Sequence, residues 1–189
     1  MGQKISKTEI EKLVSQAKKG DVNAFSKLYD YFADNIYRYV FFRVDSVEDA
    51  QDLTETVFLK SWENLYQYKS GGNNSFSSWI FRIAHNLVID YYKLNKQIES
   101  LTEDYIDERT GRHPLDITEK SLNSALLKDA IEKLKENYKQ IIILKYINEL
   151  SNDEIAAILK KNEGSVRILQ FRALKELKKI LENMGMKGI

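Results

Sequence analysis

The sequence contains no cysteine, one proline and eight glycines among its 189 residues. Without cysteine there is no disulfide scaffold, no thiolate zinc site and no cysteine nucleophile, which suits a reducing compartment. The two histidines, His85 and His113, lie far apart, and no HExxH, P-loop, GxGxxG or GxSxG string occurs. We therefore expect a protein that is not an enzyme and that has no metal site and no cofactor.

Long apolar runs are also missing. The longest, Tyr39–Phe42 and Ile141–Leu144, are far shorter than a membrane span, and the polar N-terminus has no signal-peptide core. Lys and Arg number 29 against 28 Asp and Glu, so the net charge of +1 indicates no particular partner. We expect a soluble, cytoplasmic protein without membrane insertion, in which local charge matters more than total charge.

Apolar residues recur at intervals of three and four along most of the chain, which predicts helices rather than strands. Between positions 99 and 119 this periodicity fails, and seven acidic residues accompany two basic ones. Such a segment is typical of a linker. The sequence therefore predicts an all-α protein with two small helical domains, 1–97 and 121–189, joined by an acidic flexible linker, 98–120.

Residues 150–181 have the pattern of a helix-turn-helix. Ser151 and Glu154 form an S-x-x-E capping box at the start of a short helix, and a longer helix begins near Asn162. From Lys160 to Lys179 seven basic residues oppose two acidic ones, and this local charge of +5 favours DNA binding. The alternative is an ordinary helix pair with a solvated basic face. Lys160 stands where the turn of such motifs normally has glycine.

The longer helix has two different sides. We expect its apolar side to pack inside: Val166, Leu169, Ala173, Leu174 and Leu177. The other side would enter the major groove of DNA: Arg167, Ile168, Phe171, Arg172 and Lys175. Arginine can bond guanine through two atoms, whereas Lys161 in the turn and Ser165 near the helix start suit phosphates.

A helix predicted from Val47 to Leu65 has an apolar and an acidic side. The apolar stripe consists of Ala50, Leu53, Val57, Phe58 and Trp62. The other side repeats at intervals of four and three: Glu48, Asp52, Glu55, Leu59 and Glu63. Six acidic residues and two basic ones between positions 41 and 64 repel nucleic acid and attract a basic protein. A solvated face would explain the acids alone, but the leucine at their centre favours a protein contact.

The following helix, predicted to start near Ser75, has a core stripe and a basic face. The basic face consists of Arg82, His85, Asn86, Ile89, Lys93 and Lys96. Tyr92 and Phe81 are expected near it, where they could stack on unpaired bases. Trp79 is expected in the core and His85 at the polar surface.

Together these segments resemble the extracytoplasmic-function (ECF) group of bacterial RNA polymerase sigma factors, in the sigma-70 superfamily. The acidic helix matches the family pattern DAEDLxQExFLxxW at Asp49, Ala50, Asp52, Leu53, Phe58, Leu59 and Trp62. The basic helix matches FxxWLxxIAxNxxxDxxR at Phe76, Trp79, Ile83, Ala84, Asn86 and Asp90, with Lys93 in place of arginine.

The helix-turn-helix is similar to the family pattern LSxxEIAxxLGxxxGTVxxRxxRAxxxL. It matches at Leu150, Ser151, Glu154, Ile155, Ala156, Leu159, Gly164, Ser165, Val166, Arg172, Ala173 and Leu177. It departs at Lys160, Lys161 and Leu169, and the acidic helix departs at Glu55 and Thr56. The promoter preference therefore cannot be transferred from a relative.

The resemblance implies a two-domain initiation factor that binds core RNA polymerase, at its clamp and flap regions, and promoter DNA. The clamp contact would involve Asp49, Asp52, Glu55 and Leu59. Recognition and opening of the minus-ten element would involve Asn74, Arg82, Asn86, Tyr92 and Lys93. The minus-thirty-five element would be read by Lys161, Ser165, Arg167, Ile168, Phe171, Arg172 and Lys175. An anti-sigma factor is a further partner that the resemblance suggests.

Two other functions remain open at this point. One is a helix-turn-helix transcriptional regulator that does not bind core polymerase as a sigma factor. The other is a protein-interaction module with no role on DNA. The acidic face around Leu59 argues against the first, which does not need it, and the basic helix argues against the second.

Overall fold

The computed structural model describes residues 5–71, 74–101 and 119–185. For 97–101 and 119–125 it describes the backbone only. In these ranges the chain is helical, with a single isolated bridge between Gly71 and Asn74 and no strand. The helices are α1 Lys7–Ala17, α2 Val22–Phe41, α3 Val47–Glu63, α4 Phe76–Leu101, α5 Glu119–Glu132, α6 Glu136–Ile142, α7 Asn152–Leu159 and α8 Glu163–Asn183. A 3-10 turn spans Leu65–Gln67 and a π-turn spans Ile143–Ile147. The all-α prediction is confirmed, and within the same ranges no helix is long and apolar enough to cross a membrane.

The chain divides into two compact units, Met1–Arg109 and Thr110–Ile189. Helices α1–α4 belong to the first unit and α5–α8 to the second. Helix α4 continues to Leu101, so its last residues enter the predicted linker 98–120; positions 102–118 lie outside the described residues. The functional boundaries 1–97 and 121–189 stay predictions.

Helix α2 is the centre of the first unit, since α1, α3 and α4 all pack against it. Its buried residues recur at helical spacing: Leu28, Phe32, Ile36, Tyr39 and Val40. Helix α3 contributes Val57 and Phe58, and α4 contributes Phe76 and Ile80. Such burial of apolar faces is the main source of stability in a small helical bundle.

Side-chain caps start the first three helices. The Oγ of Ser6 accepts from the N–H of Glu9, Asp21 accepts from the N–H groups of Asn23 and Ala24, and Ser46 begins α3. Each cap satisfies N–H groups that have no partner within the helix.

Four expectations for the first unit require correction or refinement. Phe81 is buried rather than beside the basic face, and its ring packs edge-on against Tyr39. Trp62 is 37% exposed and touches the ring of Phe25, so it lies at the margin of the core. His85 is half-buried, with Nδ1 3.1 Å from the Tyr39 hydroxyl. Trp79 is half-buried against the rings of Tyr68 and Phe76.

The second unit is built around α6, the π-turn and α8. Residues 141–144 are fully buried, as are Ile155 and Ile158 of α7 and Val166 and Ala173 of α8. The carbonyl oxygen of Ile143 accepts from the backbone N–H of Asn148 at 3.0 Å and from its Nδ2 at 3.1 Å. These bonds close the π-turn, after which Glu149 has a left-handed backbone with φ of 54°.

Candidate functional site

The acidic side of α3 is exposed as predicted. Leu59 is 59% exposed, and the side chains of Asp52 and Glu55 also lie in solvent. Because the three residues are spaced by three and four positions, they share one face of the helix. The face combines an apolar anchor with carboxylates and can contact a basic protein surface with an apolar recess.

Asp49, which belongs to the same predicted set, has internal partners. Its Oδ2 accepts from the Ser46 hydroxyl at 2.6 Å and from the Tyr91 hydroxyl of α4 at 2.9 Å. Burial, and then the bond to Asp49, raises the pKa of Tyr91 to about 12. Asp49 therefore connects α3 with α4, which distinguishes it from the exposed Asp52 and Glu55.

Two aromatic residues that the sequence analysis left out of this face extend it. Trp62 is 37% exposed and follows Leu59 by three positions on α3, and Tyr66 is 70% exposed in the 3-10 turn after α3. That spacing was visible in the sequence, but Trp62 fitted the apolar stripe equally well. Because aromatic residues are enriched where interfaces are energetically important, these two belong to the candidate surface.

Asn74 and Arg82, two of the predicted minus-ten residues, are hydrogen-bonded to each other near the start of α4. The Oδ1 of Asn74 accepts from Nη2 of Arg82 at 2.8 Å, and its Nδ2 donates to the carbonyl oxygen of Lys69. These bonds attach the loop between α3 and α4 to the basic face of α4. Gly72 and Asn73, in the same loop, lie outside the described residues.

The other residues of that face lie farther along α4. Asn86 and Lys93 are exposed, and Lys93 forms an ion pair with Asp90 at 3.2 Å. Tyr92 is half-buried, and its hydroxyl donates to the carbonyl oxygen of Arg43. The structure thus pairs Asn74 with Arg82 and leaves Asn86 and Lys93 in solvent.

The helix-turn-helix has the predicted capping box and turn. The N–H and Oγ of Ser151 both donate to Oε2 of Glu154, at 3.1 and 2.9 Å. Lys160 has φ of 53° and ψ of 46°, the left-handed conformation normally taken by glycine, as predicted. Asn162 caps α8 by accepting from the N–H of Ser165 at 2.7 Å.

Helix α8 separates apolar from basic side chains. The residues predicted to face DNA are exposed: Arg167, Ile168, Phe171, Arg172 and Lys175. Phe171 is 72% exposed, and Nη2 of Arg167 lies 3.4 Å from Oε2 of Glu163. Lys161 is exposed and Ser165 half-buried. Leu174, expected inside, is 42% exposed, whereas Val166, Ala173 and Leu177 are buried.

Within the described ranges, no group of three or more His, Cys, Asp or Glu side chains could hold a metal ion. The surfaces described above can bind a protein or nucleic acid through charge, hydrogen bonds and apolar contact.

Comparison with known proteins gives matches to both units. Residues 28–97 match the family described as Sigma-70 region 2, and residues 124–177 match Sigma-70, region 4. The chain is 32% identical to the ECF RNA polymerase sigma factor SigW of Bacillus subtilis, over 93% of this chain and 98% of SigW. It is 34% identical to the ECF sigma factor BldN of Streptomyces coelicolor over 89% of this chain, which spans only 64% of BldN.

Solved structures share the fold. The structure of CnrH in complex with the cytosolic domain of CnrY aligns with a TM-score of 0.72 at 21% identity, over 93% of this chain and 98% of that one. The sigma factor RpoE, in complex with the anti-sigma factor NepR from Bartonella quintana, aligns with a TM-score of 0.69 at 21% identity, over 85% and 98%.

Proposed function

The chain belongs to the ECF RNA polymerase sigma factors, and from this membership we propose a division of work between its surfaces. The acidic face of α3 binds core RNA polymerase, the start of α4 opens the minus-ten element, and α8 reads the minus-thirty-five element. The polymerase synthesises RNA, and this chain contributes no catalytic step. Its place of action is the cytoplasm, where core polymerase and promoter DNA meet.

Polymerase binding by α3 is supported by the exposed leucine among carboxylates. The charges of Asp52 and Glu55 steer the encounter with a basic surface, and burial of Leu59 slows dissociation. Trp62, three positions after Leu59 on the same helix, adds exposed aromatic area. Asp49 acts indirectly in this proposal, by holding α3 against α4 through Tyr91.

Opening of the minus-ten element is supported by the polar loop at the start of α4. Asn74, in the loop before α4 and oriented by Arg82, offers an amide to an unpaired base, and Asn86 lies on α4 itself. Lys93 supplies a phosphate contact, and the ring of Tyr92 supplies a stacking surface.

Reading of the minus-thirty-five element is supported by the exposed row of α8. Arg167 and Arg172 can each bond a guanine through O6 and N7, while Ile168 and Phe171 can contact a thymine methyl group. Lys161, Ser165 and Lys175 contact phosphates, which positions the helix without specifying sequence.

One observation carries the proposal: the acidic face with its apolar anchor and the basic helix-turn-helix occur in the same chain. A transcriptional regulator that acts without core polymerase needs only the second. The test is transcription in vitro with bacterial core RNA polymerase freed of sigma factors. We expect the chain to direct transcripts from defined start sites, and random initiation at the level of core enzyme alone would refute the proposal.

Regulation by an anti-sigma factor is a separate part of the proposal. A protein that covered Leu59 would compete with core polymerase for the same face. Purification of the tagged chain from its own cells should then yield a second complex that lacks polymerase subunits. Recovery of polymerase-bound chain alone, under both growth and stress, would contradict this part.

A further inference from the structure

A hydrogen bond joins the two helices of the helix-turn-helix at a distance from the turn itself. The Nε2 of Gln170 on α8 donates to Oδ1 of Asn152 on α7 at 2.8 Å. Both side chains are half-buried, at the edge of the α7–α8 interface. Neither residue belongs to the row predicted to contact DNA.

Gln170 lies between the two sides of α8. It follows the buried Val166 by four positions and the exposed Arg167 by three, and it precedes the exposed Phe171. A contact that restrains Gln170 therefore also restrains the rotation of α8 that directs Arg167 and Phe171 outward.

The buried side chains of α7 and α8 are apolar, including Ile155, Ile158, Val166 and Ala173. Apolar burial is non-directional and depends on the area removed from water. A hydrogen bond weakens steeply when its distance or angle departs from the optimum. The bond between Gln170 and Asn152 thus adds an orientational restraint that apolar packing lacks.

The position of the bond along α7 makes this restraint effective. Asn152 is the first residue of α7, and the turn around Lys160 follows its last residue. Eight helical residues span about 12 Å, so a swing of about 10° about the turn would move Asn152 by about 2 Å and break the bond. The turn is closed by the N–H of Lys161, which donates to the carbonyl oxygen of Ala156 at 2.9 Å, but it restrains only the end of α7 opposite Asn152.

We propose that Gln170, acting through Asn152, is a positioning residue that sets the angle of the recognition helix and thereby its sequence discrimination. The proposal rests on the proposed reading of the minus-thirty-five element by α8 and deepens it. Side chains that read bases must be held to within about 0.5 Å, to which the turn, the buried apolar side chains of α7 and this bond all contribute.

The test uses this chain bound to core RNA polymerase. Affinity is measured at one salt concentration for the minus-thirty-five sequence selected by the wild type and for a scrambled sequence. We expect Gln170→Ala to lower the ratio of the two affinities about tenfold, comparable to the loss of one base contact. Binding to the scrambled sequence should change less than about twofold, since phosphate contacts do not depend on this bond.

Two further variants separate positioning from direct DNA contact. The exchanged pair Asn152→Gln with Gln170→Asn has the same number of atoms between the helices and should restore the ratio to within about threefold. Asn152→Ala should lower the affinity ratio as much as Gln170→Ala does, and the double variant should lower it no further. If circular dichroism shows that Gln170→Ala does not fold, Asn152→Ala alone tests the proposal. A folded exchanged pair that stays defective would mean that Gln170 touches DNA itself, and the proposal would be wrong.

Failure of this proposal is distinct from failure of the proposed function. If the wild type discriminates between the sequences and Gln170→Ala discriminates equally well, only the positioning role is refuted. If the wild type itself does not discriminate, the assignment of α8 to the minus-thirty-five element is refuted.

Discussion

Tyr91 and Asp49 join α4 to α3 through one hydrogen bond of 2.9 Å, made to the same carboxylate oxygen that accepts from Ser46. The helix that carries the acidic face is therefore attached to the helix that carries the minus-ten residues. The stability of this attachment can be tested by pH, because the folded state raises the pKa of Tyr91 to about 12.

Tyr91→Phe should lower the free energy of unfolding of the first unit at pH 7 by about 1.5–3 kcal/mol, the contribution of a hydrogen bond to a charged group. The folded state holds the Tyr91 proton more tightly than the unfolded state, whose tyrosine titrates near pH 10. This part of the stability is therefore complete below pH 10 and declines between pH 10 and 12.

Denaturant unfolding, followed by the fluorescence of Trp62 and Trp79, measures the free energy of unfolding at each pH. The variant should lose less stability than the wild type over that pH interval, and equal slopes would contradict the assignment. Tyr66→Phe, at an exposed tyrosine of the first unit, is the control.

Leu59→Arg should abolish binding to core RNA polymerase, because it replaces the apolar anchor by a cation and leaves the helix exposed and intact. Leu94→Arg is the matched control, since Leu94 is 58% exposed on α4, outside the acidic face. Co-elution with core enzyme measures binding, and circular dichroism checks the helices. Equal binding by Leu59→Arg and the wild type would exclude α3 as the docking face.

Alanine at both Asn74 and Asn86 should impair opening of the minus-ten element on a cognate promoter, because each variant removes an amide that can bond an unpaired base. Permanganate footprinting of unpaired thymines measures opening. Asn23→Ala, an exposed asparagine on α2, should leave the footprint unchanged. If the double variant gives a wild-type footprint, the base contacts lie elsewhere on the first unit.

Arg167→Ala should relax discrimination at one or two positions of the minus-thirty-five element by about 1–3 kcal/mol, the contribution of a bidentate contact to guanine. Lys161→Ala should instead weaken binding to all sequences and reduce the salt dependence by about one phosphate contact. Binding-site selection with both variants at fixed salt distinguishes the two roles. An unchanged preference in Arg167→Ala would show that α8 is oriented differently on DNA.

Lys160→Gly should stabilise the second unit by about 1 kcal/mol, because glycine adopts the left-handed conformation without strain. Lys175→Gly is the contrasting control, since it removes the same charge from the middle of α8 and should destabilise by about 1 kcal/mol. Hydrogen exchange of the α7 and α8 amides measures both changes. Lower protection in Lys160→Gly would indicate that the lysine side chain contributes more than its backbone costs.

Local patterns predicted local structure well. The capping box of Ser151 and Glu154 and the left-handed turn at Lys160 both follow from short spacings, and both are present. Leu59 and Phe171 are exposed as predicted, and each lies at the centre of the polar side of its helix. Helical periodicity defines such central positions clearly.

Residues at the margin of a stripe were harder to place. Trp62, Leu174 and Phe81 each lie near the border between two faces, where the position of the neighbouring helix decides burial. Asp49 was predicted to contact polymerase, which stays a prediction, but its hydrogen bond with Tyr91, 42 positions away, was not predicted. Local sequence patterns span only a few positions and cannot predict a contact over such a separation. The π-turn at Ile143–Ile147 likewise depends on how the surrounding helices pack.

Glu149 and Lys160, the two non-glycine residues with a left-handed backbone in the described part of the chain, lie on either side of α7. Natural proteins rarely reach their stability optimum, and such positions are where laboratory evolution for heat resistance readily gains. Glycine at position 149 would remove a carboxylate. Glycine at position 160 would remove a cation from the turn that precedes the recognition helix. Under selection for heat resistance and promoter use together, glycine should become fixed at 149 while lysine persists at 160.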